Sequence, residues 1–349
     1  MPLARASWSV DLRDLPPMDV IFGQTSAMAA ARERLEKIAA TTVPVLLQGE
    51  SGTGKDIFAR LVHALGNRAS HSFVKVTCPA IPHTLIESEL FGYEKGAFTG
   101  AYATKRGRVE LAHMGTLFLD EVGGLDMSIQ AKLLQVLQDG SFMRVGGQET
   151  RSVKTRLVCA ANEDLRQQTE DGNFRLDFFY RINAVTIELP PLRDRAADIP
   201  KLIDYFLAVH SKAYRLEPKP LSQDITRMMQ RYNWPGNIRQ LENLIRGYVL
   251  MGDEESLAAD LVPLAAKGIV PEIDLANPIS LKEITKAATR GLEREIILKV
   301  LQANGWSRRK TAKWLNISYR SLLYKLQESE VNRVSARARK NGASSAEPD

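Results

Sequence analysis

Apolar positions between about residues 21 and 190 follow two patterns that alternate along the chain. Short β-rich runs predict strands at 44–48, 73–77, 116–120, 155–161 and 184–189. The intervening segments carry apolar residues at helical spacing, as at Ile129, Leu133, Leu134 and Leu137. Strands that alternate with helices indicate an α/β fold whose central sheet is parallel and whose crossovers are right-handed.

The pattern changes after residue 195. No strand pattern occurs from 196 to about 266, so this stretch predicts a small α-helical domain. A proline-containing segment with little periodicity follows, and helical spacing then resumes. The predicted organisation is an N-terminal extension (1–20), an α/β core (21–194), a helical domain (195–266), a linker (267–280), an all-α C-terminal domain (281–329) and a basic, disordered tail (330–349).

Composition narrows the setting of the protein. Of its 349 residues, 44% are hydrophobic and 25% are charged, which is ordinary for a soluble chain of two or three domains. No apolar run approaches the length of a membrane span, and the first residues contain no signal-peptide core. Two cysteines, Cys78 and Cys159, are too few for a disulfide framework, so we expect a cytoplasmic protein without membrane association.

The net charge of +6 is unevenly distributed. Residues 290–340 contain 13 Lys and Arg against 4 Glu, so the rest of the chain is net acidic. A basic end suits contact with the phosphate backbone of DNA. The alternative is a solvated charged face, which is the commoner origin of charge runs.

The segment GESGTGKD follows a predicted strand and opens a predicted helix, in the order of a phosphate-binding P-loop. Backbone N–H groups at a helix N-terminus cradle phosphates, and Lys55 would reach the β and γ phosphates. Asp56 stands where Ser or Thr usually offers a hydroxyl to magnesium. A chance glycine-rich turn is the alternative. The nucleotide-binding candidates are Gly49, Glu50, Ser51, Gly52, Thr53, Gly54, Lys55 and Asp56.

A second motif, GTLFLDE, ends a predicted strand in two carboxylates. The carboxyl ends of parallel strands are where α/β sheets place ligands. Asp120 would hold Mg²⁺ directly or through water, and Glu121 would orient and activate the attacking water. An acidic turn is the alternative for either residue alone, but with the P-loop the pair indicates a nucleoside triphosphatase.

The residues around these motifs specify the kind of ATPase. The segments GESGTGK, ESELFGYEKGAFTGA, GTLFLDE, FYRIN, LPPLRDR and YNWPGNIRQLEN closely resemble those of the sigma-54-dependent transcriptional activators, bacterial enhancer-binding proteins of the AAA+ class. The resemblance extends from about residue 21 to 262. The segment GAFTGA is the hallmark of this family and is far more specific than a P-loop.

The resemblance implies hexameric rings that bind ATP between neighbouring subunits. Arg175 and Arg181 match the arginine fingers that reach the γ-phosphate of the neighbour. Arg239 matches the second sensor, which is carried by a helical lid, and Asn162 belongs to the first sensor. Without the resemblance, Arg175 and Arg181 would be interpreted as residues of a surface helix that form ordinary ion pairs.

Three positions depart from the family pattern. Thr77 replaces an asparagine that restrains the catalytic glutamate through a hydrogen bond, and a threonine has shorter reach and only one donor. Ala161 replaces a threonine of the first sensor. Met114 replaces a common glycine, which we interpret as a packing change. We expect ATPase activity to survive, with altered coupling of hydrolysis to contact with the partner.

The GAFTGA segment contains no acid–base or metal-binding side chain. Its glycines permit backbone conformations closed to other residues, so the loop can rise and fold back, with Phe98 and Thr99 at its tip. The resemblance implies that the loop grips sigma-54. The candidate contact residues are Gly96, Ala97, Phe98, Thr99, Gly100 and Ala101.

The C-terminal block predicts two short helices joined by a tight turn, with Ser307 and Ser318 as N-caps. It resembles a Fis-type helix-turn-helix, whose second helix enters the major groove and which usually binds paired half-sites as a dimer. A three-helix protein-binding module is the alternative. The candidate DNA contacts are Arg308, Arg309, Lys310, Lys313, Ser318, Tyr319, Arg320, Ser321, Tyr324 and Lys325.

The motifs and the family resemblance therefore predict an ATP-hydrolysing activator that binds upstream double-stranded DNA and remodels the closed complex of sigma-54 RNA polymerase. One alternative is a DNA-binding regulator or co-regulatory subunit whose AAA+ domain serves assembly. Another is an AAA+ unfoldase or helicase, which the GAFTGA loop disfavours. Only 22 residues precede Gly23, so we expect no receiver domain before the ATPase and regulation by a separate, trans-acting protein.

Overall fold

The computed structural model describes residues 15–261, 297, 300–301, 307–315 and 317–328. The predicted linker (267–280) and tail (330–349) lie outside the described residues. So does most of the predicted N-terminal extension. The chain divides into two compact units, 1–257 and 258–349.

The first unit is built on a five-stranded parallel sheet with the strand order β2-β5-β8-β1-β9. The α/β prediction is confirmed, and the five strands coincide with the five predicted runs to within about one residue at either end. Two antiparallel pairs, β3–β4 and β6–β7, stand apart from this sheet. The strands are β1 (Val45–Gln48), β2 (Phe73–Thr77), β3 (Gly92–Tyr93), β4 (Lys105–Arg106), β5 (Thr116–Asp120), β6 (Ser141–Met143), β7 (Thr150–Ser152), β8 (Arg156–Ala161) and β9 (Val185–Glu188).

Helices cover the faces of the sheet and continue beyond it. Short 3₁₀ turns at Cys78–Ala80, Val122–Gly124 and Leu192–Asp198 join several of them. No strand occurs in the described residues after β9, as predicted. The helices between residues 15 and 261 are α1 (Met18–Phe22), α2 (Ser26–Ala39), α3 (Lys55–Ala64), α4 (His83–Phe91), α5 (Arg108–Leu111), α6 (Met127–Asp139), α7 (Leu165–Glu170), α8 (Leu176–Ile182), α9 (Ile199–Tyr214), α10 (Gln223–Arg231), α11 (Asn237–Met251) and α12 (Glu254–Leu261).

Each face of the sheet has its own apolar core because alternate strand residues point to opposite faces. In β1, Leu46 joins the cluster beneath α4, α6 and α8, whereas Val45 and Leu47 join the cluster beneath α2 and α3. Both faces are therefore covered, as expected for a parallel sheet. This packing fixes the strand ends at which the polar motifs emerge.

A buried arginine links the C-terminal ends of two helices, α2 and α3. Arg156 begins β8 with 2% of its surface exposed. Its guanidinium donates to the carbonyls of Ile38 (2.8 Å) and Ala39 (2.7 Å) at the end of α2, and to Val62 (3.1 Å) near the end of α3. A cation at the carbonyl end of a helix satisfies orphan acceptors and offsets the helix dipole. Burial lowers the pKa of Arg156 to about 10, so the side chain stays charged at neutral pH.

Met114 precedes β5 in a left-handed backbone conformation, with a φ of 63°. Its N–H donates to the carbonyl of Lys154 at 2.6 Å, which holds the turn in place. The side chain is 40% exposed. The expected packing change is therefore wrong, because the position favours glycine through its backbone and not through lack of space.

The second unit contains a pair of helices at Arg308–Trp314 and Tyr319–Glu328. Ala312 and Leu322 are buried together with Ile297 and are flanked by Leu315 and Ile317. Ser318 caps the second helix, since its Oγ accepts the N–H of Ser321 at 3.1 Å. The side chain of Ser307 does not form the predicted cap on the first helix. Its main-chain carbonyl instead accepts hydrogen bonds from the N–H and the hydroxyl of Thr311.

Within the parts of the chain that the structure describes, no helix is long and apolar enough to cross a membrane.

We predict that Met114→Gly stabilises the protein. Relief of the left-handed conformation is worth about 1–2 kcal/mol, and the greater flexibility of glycine in the unfolded chain offsets roughly half of it. The expected gain is about 0.5–1 kcal/mol in the free energy of unfolding, measured by urea denaturation. Met228→Gly is the matched control, since Met228 is equally exposed but lies inside α10 and should lose stability. Equal losses in both variants would contradict this account.

His63 predicts a specific acid sensitivity. It is 1% exposed in α3, its Nδ1 lies 2.9 Å from the hydroxyl of Thr116, and burial lowers its pKa to about 4. Because the unfolded chain binds this proton more tightly, folded stability is complete above about pH 6.5 and falls as the pH drops toward 4. We expect His63→Gln to lose less stability between pH 7 and 4 than the wild type, by at most about 1.4 kcal/mol per pH unit. Parallel curves of unfolding free energy against pH would refute it.

Candidate nucleotide-binding site

The P-loop connects β1 to α3, with Lys55 as the first helical residue. Gly52 has a φ of 80°, and a Cβ there would lie 2.4 Å from the carbonyl of Gly236 in the segment before α11. Only glycine fits this close approach. The loop is thus held between the sheet and the helices that follow it.

The ammonium of Lys55 donates to the P-loop carbonyls of Gly49 (2.6 Å) and Glu50 (2.9 Å). Burial lowers the pKa of Lys55, while the nearby carboxylates of Asp120 and Glu121 raise it. A partly desolvated cation beside a helix N-terminus is suited to binding an anion.

A network that we call the Glu50 clamp ties the P-loop to the helical segment. Arg193 donates two hydrogen bonds to the Glu50 carboxylate, at 2.5 and 3.0 Å. The Asn237 amide donates to the Glu50 carboxylate and to the Ser51 carbonyl, both at 3.0 Å, and its oxygen accepts the N–H of Leu192 at 2.8 Å. The bonds from Arg193 and then Asn237 lower the pKa of Glu50 to about 2.

The acidic pair lies at the carboxyl end of β5. The Oδ2 atom of Asp120 is 3.2 Å from Nζ of Lys75. Glu121 has a left-handed backbone with a φ of 58°, an uncommon conformation for a residue with a side chain and one that accumulates at functional sites. In the sheet, β5 is separated from β1, the strand that leads into the P-loop, by β8 alone, and both carboxylates interact electrostatically with Lys55.

Thr77 was expected to be a poorer restraint on Glu121 than the asparagine it replaces. Thr77 pairs in register with Asp120 at the ends of β2 and β5. Among the described residues, however, no hydrogen bond joins the Thr77 hydroxyl to Glu121. Ala161 ends β8, where its carbonyl accepts the N–H of Gly49 at 3.2 Å, and the exposed Asn162 follows. The sensor strand therefore touches the P-loop directly.

The arginines divide into two sets. Arg239 reaches the P-loop, where its Nη1 lies 3.3 Å from the Ser51 hydroxyl. Arg175 instead pairs with Asp177 at 2.7 Å, and Arg181 donates to the carbonyl of Leu137 at 2.7 Å. Neither of these two contacts the P-loop of its own chain, which is compatible with a role toward another subunit.

A cavity of about 310 Å³ adjoins the P-loop at Thr53 and Gly54. Most of the residues that line this cavity were not predicted from the sequence. Two of them, Pro16 and Val20, had been placed in the N-terminal extension. The apolar run before Gly23 was the available signal. The lining is mostly apolar and is completed by Ile21, Ile57, Phe58, Arg195, Leu202, Tyr205, Phe206, Val209, Ile238 and Glu242.

The GAFTGA segment forms a closed loop between β3 and β4. The N–H of Gly96 donates to the carbonyl of Ala101 at 2.9 Å, and Ala101 in turn donates to Phe98 at 3.0 Å. Gly96 and Gly100 both have positive φ, at 87° and 103°, as expected. Ala101 is only 4% exposed, so in this conformation it supports the loop and is not available for contact.

Phe98 is exposed, as expected, and the loop presents a second aromatic residue that was not expected. Phe98 is 42% exposed because its ring packs edge-on against Tyr93, with centroids 5.0 Å apart. Thr99 is exposed, as predicted. Tyr102 is 87% exposed and was missed by the sequence reasoning. The loop thus presents Phe98, Thr99 and Tyr102, of which Tyr102 is more exposed than Phe98.

The base of the loop is fixed by charge. Arg144, 8% exposed, donates to Glu94 at 3.0 Å and to Glu110 at 2.7 Å. The bonds from Thr104 and Arg144 lower the pKa of Glu94, and those from Arg144 and Arg106 outweigh burial to lower the pKa of Glu110. Both carboxylates are therefore ionised partners of a buried cation at neutral pH.

The proposed DNA contacts lie on the two helices of the second unit. Arg309, Lys310, Lys313, Ser318, Tyr319 and Arg320 are exposed. Arg308, Ser321 and Lys325 are half-buried, and the side chain of Tyr324 lies outside the described residues. Trp314, 76% exposed, is an additional aromatic residue at the end of the first of these helices.

Three families match this chain in succession. They are the "Sigma-54 interaction domain" over residues 21–188, the "AAA+ ATPase lid domain" over 193–272 and the "Bacterial regulatory protein, Fis family" over 289–328. The regulatory protein AtoC of Escherichia coli is 40% identical over 315 residues, which cover 89% of this chain and 68% of AtoC. The chain belongs to the sigma-54-dependent transcriptional activators.

Other members of this activator family are similar to the chain. The Nif-specific regulatory protein of Azotobacter vinelandii is 40% identical over 90% of this chain, and the chain spans 59% of the length of that relative. The crystal structure of NtrX from Brucella abortus superposes with a TM-score of 0.67 and 31% identity, over 89% of this chain and 69% of NtrX. The architecture is thus that of an AAA+ core with a lid and a Fis-type helix-turn-helix.

We predict that Asn237→Ala uncouples the lid from the P-loop. Asn237 is fully buried and makes three hydrogen bonds, so its loss leaves buried polar groups unpaired and costs about 2–4 kcal/mol of unfolding free energy. Asn67→Ala is the control, because Asn67 is exposed and makes a single bond to Ala40. Urea denaturation measures both variants. A loss no larger than that of the control would show that the clamp adds nothing.

Proposed function

We propose that the protein is an ATP-hydrolysing transcriptional activator that binds upstream DNA and remodels the sigma-54 RNA polymerase closed complex to the open complex. The observation that carries this proposal is the combination, on one rigid core, of a P-loop with adjacent carboxylates and a GAFTGA loop braced by Arg144. The Fis-type helices supply the means of binding DNA.

ATP is the proposed nucleotide. The P-loop N–H groups and Lys55 bind the phosphates, and the cavity beside Thr53 and Gly54 accepts the base against apolar walls. Structures of NtrX, 31–32% identical to this chain, are in complex with ADP and with ATP. Arg239, already at Ser51, is positioned to sense the phosphates.

The residues present fit a magnesium ion that arrives with the nucleotide. Mg²⁺ is bound by one or two carboxylates together with phosphate oxygens and water. Asp120 is such a carboxylate, with 20% of its side chain exposed at the strand edge. Asp56 is already engaged by Lys75 and Arg60. When bound, the ion neutralises charge that develops on the phosphates.

The remaining catalytic roles are proposed from the family resemblance. Glu121 orients and activates the attacking water. Arg175 and Arg181 act on ATP bound by the neighbouring subunit of a hexameric ring, where they stabilise negative charge in the transition state. Asn162, at the end of the strand next to the P-loop, senses the phosphates in the same subunit.

Helix α4 connects the edge of the sheet at which the nucleotide is proposed to bind to the GAFTGA loop. The chain passes from Thr77, opposite Asp120, through one 3₁₀ turn into α4 and from there into β3 and the GAFTGA loop. Ile86, Leu90 and Phe91 bury one face of this helix. A shift at the strand end is therefore passed to the loop by a packed element.

The second candidate function is a DNA-binding regulator or co-regulatory subunit whose AAA+ domain serves assembly. The missing hydrogen bond between Thr77 and Glu121 favours it, because nothing then restrains the glutamate until sigma-54 is engaged. Both candidates bind the same DNA through the same helices. Only the remodeller requires hydrolysis of ATP.

In vitro transcription from a sigma-54 promoter tests the proposal. We predict open complexes with ATP and none with a non-hydrolysable analogue. Phe98→Ala and Thr99→Ala should abolish activation and leave ATP turnover within about threefold of wild type, whereas Lys55→Ala should lose at least about 100-fold in turnover as well. Tyr214→Ala, at similar exposure to Phe98, is the control and should behave as wild type.

Two outcomes would contradict the proposal. Activation with the analogue would favour the regulator that does not remodel. Loss of ATP turnover in step with activation in the two loop variants would show that the loop is structural.

A further inference from the structure

The residue after the P-loop lysine is a carboxylate with two cationic partners. Asp56 accepts from Nε of Arg60 at 2.9 Å and from Nζ of Lys75 at 2.6 Å, one cation on each carboxylate oxygen. Its side chain is one-third exposed. A carboxylate that is held in this way does not offer a free oxygen to a metal ion.

The second of these cations also reaches the acidic pair. Nζ of Lys75 lies 3.2 Å from Oδ2 of Asp120, so one ammonium stands between the carboxylate of the P-loop helix and that of β5. The ammonium is also 5.6 Å from the centroid of the Phe118 ring, and Lys75 and Phe118 are register partners in β2 and β5. Strand pairing and a cation–π contact therefore fix its position.

We propose that Lys75 is a positioning residue of the nucleotide site, whose ammonium keeps Asp56 away from the metal and balances the charge of Asp120 before a divalent cation arrives. The inference rests on the proposed binding of ATP. It explains how a P-loop works with a carboxylate where a hydroxyl usually stands. Two unbalanced carboxylates near the triphosphate would repel it.

The charge balance predicts how nucleotide binding depends on magnesium. Without Lys75, Asp120 has no ion pair among the described residues, with Lys55 its only nearby cation, and Asp56 retains only Arg60. ATP without a divalent cation then meets an uncompensated carboxylate. A magnesium ion at Asp120 restores the balance, so the affinity for the magnesium complex should change little.

The experiment measures the Kd of a fluorescent ATP analogue with the full chain, in EDTA and in excess Mg²⁺. We expect Lys75→Met to weaken binding about tenfold in EDTA and at most about threefold in Mg²⁺, so that the ratio of the two Kd values rises. Lys75→Arg keeps the charge and should restore most of the EDTA affinity. Lys132→Met, which removes a surface ion pair with Glu87, is the matched control and should leave the ratio unchanged.

A second variant acts in the opposite direction and does not remove the lysine. Asp56→Asn leaves Lys75 to face Asp120 and the phosphates alone, so the EDTA affinity should rise and the ratio should fall. This variant decides the question if Lys75→Met fails to fold.

The outcomes separate the two proposals. Equal losses in EDTA and Mg²⁺ for Lys75→Met, or an unchanged ratio for Asp56→Asn, would overturn the inference and leave Lys75 a structural residue. A wild-type chain that binds no nucleotide under either condition would overturn the proposed function itself.

Discussion

The fold places the nucleotide site at the junction of two parts of the chain, and the Glu50 clamp is the interaction that holds them together. A P-loop carboxylate binds Arg193 and Asn237 from the far side of the junction. Asn237 is fully buried, and Gly52 leaves no room for a side chain between the two parts. A movement of the P-loop relative to the lid therefore requires these hydrogen bonds to break.

The same site is organised by pairing of charges at short range. Lys55 is held by carbonyls, Asp56 by two cations, and Asp120 by Lys75. Thr77, by contrast, makes no bond to Glu121 among the described residues. In the described part of the chain, Glu121 is thus the member of the acidic pair that is set by its left-handed backbone conformation and not by an ion pair.

Much of the fold followed from local sequence, because strand and helix periodicity and a specific motif set are read from neighbouring residues. The ends of the strands, the P-loop and the acidic pair all lie where their patterns put them. Contacts between distant residues were not readable in this way. Glu50 and Arg193 are separated by 143 positions, and Val20 enters the nucleotide cavity from a segment that had no motif. The left-handed backbone of Met114 was missed because the replacement of a common glycine was interpreted as a change of packing and not of φ.

The packing of Phe98 on Tyr93 also affects how readily the protein associates with proteins other than its partner. A fully exposed phenylalanine repeated around a ring would form a continuous apolar surface, and such surfaces associate with other proteins without selectivity. Because the ring of Phe98 packs against Tyr93 and is 42% exposed, the chain shows less apolar surface at this loop. The residue proposed to grip one partner is thereby shielded from the many others in the cell.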